Sequence, residues 1–175
     1  LHIEAHSFPT RRSSDLQLID LLDLESKQGS LADNAKGADV LLGVSAAGVF
    51  TKEILESMAD DAIVFAMANP NPEATYDDMK AAGVRVAGTG RSDAPNQINN
   101  VAVFPGIFRG ALDVNAREIN DDMKLAAADA LAGLISDQEL ADDHVAVSVF
   151  DPRVAPAVAK AVADTAIKTG VRSEE

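Results

Sequence analysis

Three asparagines stand where a polar side chain meets an apolar run. Asn69 directly follows AIVFAMA, and Asn99 and Asn100 directly precede VAVFPGIF. A carboxamide both donates and accepts, so at the end of a buried element it can hold a polar ligand. Each also has a structural reading. Asn69 heads the string NPNPE, and Asn and Pro build turns, with the following proline pressing Asn69 into an extended conformation. Asn99 and Asn100 can cap a helix, a side-chain oxygen meeting free N–H groups of its first turn. If that helix starts at the ligand edge of a sheet, its positive end adds to the carboxamides and suits a carboxylate or phosphate. The apolar run after them then reads as the buried first turns of the element, with Pro105 starting a helix after a break.

Other chemistry is thinly represented. Gly88-Thr89-Gly90 follows a predicted strand, but a dinucleotide fingerprint requires a third glycine where this chain has Asp93, so a flexible turn is the preferred reading. Among residues 17–175 the one histidine is His144, and the string DDH has no metal-ligand spacing with any partner, which makes it a structural residue. The pairs Asp60-Asp61, Asp77-Asp78, Asp121-Asp122 and Asp142-Asp143 fall near predicted helix ends, where solvation and the helix dipole account for them. With no cysteine in the chain there is no thiol nucleophile, thiolate metal site or disulfide. That absence suits a cytoplasmic protein. No metal site is expected within these residues.

The elements that would position the asparagines alternate. Asp39 to Val44 and Ala62 to Ala68 are short apolar runs bounded by turn residues, and VRVAGTG gives a third. Such runs are buried strands by length and β-branching. Between them lie short helices with start signals: Ser30 with Asp33 before LADNAKG, Thr51 with Glu53 before TKEILESM, and Thr75 before YDDMKAAG. Gly37 and Gly83 stop the first and third. Helix–strand alternation with short connections specifies βαβ units and a parallel sheet. Ligands of such sheets bind at the carboxyl ends of the strands, here GVSAAG, ANPNPE and GTGRSD. Beyond Ile119, residues Ile119, Met123, Ala126, Ala127, Ala130, Leu131 and Leu134 fall at helical spacing. His144 to Phe150 is β-prone, and an Ala/Val helix runs from near Pro156 to Gly170.

Composition sets the remaining bounds. The chain has 175 residues, 47% hydrophobic and 25% charged, which suffices for a core. Only 4% is aromatic, with no tryptophan, so aliphatic side chains must do the packing. A net charge of −13 repels nucleic acid and anionic membranes, and the adjacent pair Arg11-Arg12 is too small to reverse that. No apolar stretch approaches the ~18 residues of a membrane span. Residues 1–16 share neither period nor composition with the rest, and HSFPTRRSSDL reads as translated sequencing adaptor. They are expected to be a non-native or disordered leader, leaving 17–175 as the folded part.

Together ADVLLGVSAAGVFT, FAMANPNPE, GTGRSDAPNQINNVAVFPGIFRGALDV, MKLAAADALA and FDPRVAPAVAKAVA resemble the C-terminal part of bacterial malic enzyme, in order from about Gly29 to Val171. The NQINNVAVFPGIFRGALDV string is the most specific. The resemblance implies an α/β fold, a partial Rossmann-like doubly wound parallel sheet with C-terminal helices. It implies oxidation of L-malate with NAD or NADP and decarboxylation to pyruvate, assisted by Mg²⁺ or Mn²⁺, in a homo-oligomer. By resemblance, Asn69 and Asn99 contact malate, while Ser45, Asn69 and Asn100 line the cofactor. The family's catalytic Tyr and Lys, its acidic metal ligands and its glycine-rich phosphate loop lie upstream of the matched residues, so this chain alone is expected to be inactive. The alternative is a non-catalytic nucleotide-binding or assembly module. A third reading, an amino-acid-dehydrogenase-like domain, is disfavoured by FPGIFRGALDV. An in-frame glycine-rich strand–turn–helix and acidic cluster in the upstream gene sequence would select the first.

Overall fold

The structure, a computed structural model, describes residues 29–173. The leader expected over 1–16 lies outside the described residues. The chain divides into two compact units, the first ending at Pro95 and the second beginning at Asn96.

The first unit follows the predicted alternation: α1 (Leu31–Ala35), β1 (Val40–Gly43), α2 (Lys52–Glu56), β2 (Ile63–Ala66), α3 (Tyr76–Ala81) and β3 (Val86–Thr89). The strands form a parallel sheet in the order β1-β2-β3. Its register aligns Leu41 with Val64 and Ala87, and Gly43 with Ala66 and Thr89. All six are buried. Leu41, Val64, Ala66 and Ala87 join Ala35, Ile54, Leu55 and Met79 of the three helices in one core. β1 and β2 bury alternate residues, whereas all four of β3 are buried.

The predicted caps are largely in place. Ser30 and Asp33 form a reciprocal capping box, and the Thr75 hydroxyl accepts from the Asp78 N–H at 3.1 Å. Thr51 occupies its cap position, but its side chain accepts no N–H of the helix. Gly37 and Gly83 adopt positive φ, the left-handed conformation that ends a helix.

The second unit holds a 3₁₀ turn (Asn100–Ala102) and three helices, α4 (Phe104–Asp113), α5 (Asp121–Ala132) and α6 (Val154–Lys168). Pro105 is the second residue of α4, where its missing N–H costs nothing. α6 starts at Val154, two residues before the expected Pro156, which is tolerated in the first turn for the same reason. Ile107, Ala111, Met123, Ala127, Val158, Val162 and Ala166 form the core. α4 and α6 meet along glycines: a Cβ at Gly106 would stand 2.6 Å from Val158 Cβ, and one at Gly110 would strike the Ala159 carbonyl oxygen.

Two expectations are corrected here. VAVFPGIF does not enter the core as a block: Val101, Phe104 and Phe108 are 46%, 47% and 53% exposed. The close approach to α6 selects the Gly106, Ile107, Gly110, Ala111 side of α4 for burial and turns the phenylalanines outward. His144 to Phe150 forms no strand; one isolated bridge joins Ala141 to His144. The Val145 N–H goes instead to the Asn96 side chain at 2.8 Å, so the segment is held by a loop contact rather than a ladder. Among the described residues no helix is long and apolar enough to cross a membrane.

Candidate functional site

β1, β2 and β3 end in register at Gly43, Ala66 and Thr89. The loops that follow therefore leave the same edge of the sheet, the carboxyl edge at which a parallel sheet binds ligands. Ser45 lies in the first loop, half-buried, and Asn69 in the second, exposed. The Asn69–Pro70 peptide bond is cis. Among the described residues the Asn69 carboxamide makes no hydrogen bond, leaving both its donor and its acceptor to solvent or a ligand.

The first two loops are tied to each other. Met67 N–H donates to the Gly43 carbonyl at 2.9 Å, Gly48 N–H to Pro72 at 3.2 Å, and Phe50 N–H to Glu73 at 3.1 Å. The Glu73 side chain, fully buried, completes the link. Its Oε1 accepts from the Ser45 N–H at 2.6 Å and the Ser45 hydroxyl at 3.2 Å, and its Oε2 from the Ala68 N–H at 2.9 Å. Sequence reasoning missed Glu73, because an acidic residue beside NPNP reads as a solvated turn. An apolar neighbour on its C-terminal side, Ala74, was the available signal.

The third loop begins differently. Thr89 is buried, and its hydroxyl oxygen accepts from the Arg91 N–H at 3.2 Å. Arg91 pairs with Asp93 at 2.5 Å, and the hydrogen bond from that guanidinium holds the Asp93 carboxyl below its ordinary range. Asp93, at the position a third fingerprint glycine would take, thus closes a local turn. A cavity of about 570 Å³ opens nearby, lined by Thr51, Asn71, Glu73, Thr75 and Arg91 among others, but by neither Ser45 nor Asn69.

Asn99 and Asn100 belong to the second unit. Asn99 caps the 3₁₀ turn in extended conformation, its Oδ1 accepting from the Val101 N–H at 3.0 Å. Asn100, exposed, is the first residue of that turn. The capping reading of Asn99 is therefore realised. Its neighbour Asn96, also missed from sequence, is buried at positive φ and bridges the Asp142 carbonyl and the Val145 N–H. Among the described residues no three His, Asp or Glu side chains gather as a metal-ligand set.

The family model "Malic enzyme, NAD binding domain" matches residues 23–167. A bifunctional malic/malolactic enzyme of Bacillus subtilis is 60% identical over 147 residues, 84% of this chain and 36% of that protein. An NAD-dependent malic enzyme of Geobacillus stearothermophilus is 51% identical over 155 residues, 89% of this chain and 32% of that protein. Among solved structures, Entamoeba histolytica malic enzyme superposes with a TM-score of 0.80 at 42% identity, covering 86% of this chain and 32% of that one. The chain thus spans about a third of the length of these relatives. At this identity, and with a parallel sheet of the same fold, the chain belongs to the malic enzyme family, in the segment that forms its NAD-binding domain.

Proposed function

We propose that residues 17–175 form the nicotinamide-side part of an enzyme that oxidises L-malate with NAD or NADP and decarboxylates it to pyruvate and CO₂. The observation that carries this is the edge itself: three strand ends in register, with Ser45 and Asn69 on two loops locked together there. In this reading Ser45, Asn69 and Asn100 contact the cofactor, and Asn69 and Asn99 contact malate. The open carboxamide of Asn69 fits either partner, since it offers a donor to a carboxylate or carbonyl and an acceptor to an amide. Relatives named for NAD and for NADP both match this chain, so either dinucleotide is proposed. The bound dinucleotide supplies the hydride acceptor; the chain's own residues orient it and the malate. Mg²⁺ or Mn²⁺ would be held by residues outside the described ones.

In this reading the whole enzyme is a homo-oligomer in the cytoplasm, and the net charge of −13 on this chain disfavours nucleic acid and anionic membranes as partners. Residues 1–16 take no part. The test is a chimera in which residues 29–173 replace the matching segment of the Bacillus subtilis relative. Malate-dependent reduction of NAD⁺ or NADP⁺ by the chimera is the expected result. A chimera that folds and assembles yet neither binds dinucleotide nor turns over malate overturns the reading.

A further inference from the structure

Glu73 contacts no predicted ligand, yet the fold is built around it. Its side chain is fully buried, and among the described residues it has no cationic partner. Taking a carboxylate out of water is costly unless donors meet its oxygens. Here three do, two from Ser45 and one from Ala68, so each oxygen is committed to a different loop. The strand makes room for it: a Cβ at Gly43 would stand 2.5 Å from Glu73 Cδ and 2.7 Å from Phe50 Cζ. The oxygen that fixes the Ala68 N–H also fixes where Asn69 leaves the sheet edge, because the two are adjacent in the chain.

We propose that Glu73 is a positioning residue, whose carboxylate sets the spacing of the Ser45 and Asn69 loops so that both face one ligand. It acts through those two residues and touches neither cofactor nor substrate. The inference rests on the reading of this edge as the nicotinamide side. Its chemistry also explains why an amide would not serve. A glutamine of the same shape keeps one acceptor and turns an N–H₂ toward a backbone N–H on the other side.

The experiment has two arms. In the ¹⁵N-labelled 175-residue chain, Glu73→Gln is expected to shift the Ser45 and Ala68 amide resonances and speed their hydrogen exchange, with Val64 and Phe65 in β2 unaffected. In the chimera, the same variant is expected to lower kcat/KM for dinucleotide and malate by about 10- to 100-fold, as displacement of a supporting partner typically does. Should Glu73→Gln fail to fold, Glu73→Asp withdraws both acceptors by one methylene and keeps the charge; the same kinetic loss is expected. Unchanged Ser45 and Ala68 amides, or a lowered melting temperature with unaltered kcat/KM, would overturn the positioning role while leaving the cofactor edge intact. An unmodified chimera without dinucleotide binding or turnover would overturn that edge and this inference together.

Discussion

Asn99 can be read as a cap or as a ligand, and one substitution separates the two. The cap is present: Oδ1 accepts the Val101 N–H at 3.0 Å. Its removal should cost about 1 kcal/mol of stability. If the same side chain also meets malate, Asn99→Ala in the chimera loses a hydrogen bond to a charged group, about 1.5–3 kcal/mol, or roughly ten- to a hundredfold in kcat/KM. We expect both losses. A destabilised enzyme with unchanged kcat/KM would leave Asn99 a cap and nothing more. Asn69 differs from it: no hydrogen bond within the described residues competes for its carboxamide, so it carries no comparable structural duty.

At the level of elements, the second unit depends on the contact of α4 with α6. Gly106 and Gly110 lie one turn apart on α4 and let its backbone approach α6 closely. A methyl group at Gly110 meets the Ala159 carbonyl oxygen, a backbone atom that cannot swing away as a side chain would. Gly110→Ala is therefore expected to destabilise by about 1–3 kcal/mol, the usual cost of overpacking, despite alanine's better helix propensity. Thermal or urea unfolding of the variant checks this; a melt equal to or above that of the parent would show that the helices separate freely. The first unit relies on hydrogen-bonded loops instead, with the Glu73 link between the ends of β1 and β2.

Taken whole, the 175 residues amount to about a third of the relatives they match. Malate oxidation requires groups that move protons and a site that stabilises the developing charge. The first two loops of the carboxyl edge offer a hydroxyl, a carboxamide and a carboxylate already committed to three donors, and in the third the Asp93 carboxylate is paired with Arg91. None of these is poised as a general base for the malate hydroxyl. The isolated chain is accordingly expected to reduce neither NAD⁺ nor NADP⁺ in the presence of malate and Mn²⁺. Following reduced nicotinamide by absorbance checks this, and turnover above background would require a proton-transfer group within these residues.

What sequence determined by itself was local. Ser30 with Asp33, and Thr75 with Asp78, satisfy N–H groups three residues away, so their signals lie inside one helical turn. The three strands were legible because β-branched runs between turn residues have few other conformations open to them, and short connections made the sheet parallel. Ser45, Asn69, Asn99 and Asn100 were legible as candidates through resemblance and position, though not the partners each would have. Tertiary structure alone decided which side of α4 is buried, since VAVFPGIF is apolar all round and the choice falls to the glycine contact with α6. It alone gave Glu73 and Asn96 their places. Glu73 meets Ser45 across 28 residues of chain, and Asn96 meets Asp142 and Val145 across 46 and 49. A polar side chain can be buried only where distant donors or acceptors converge on it, and no window along the chain contains that convergence.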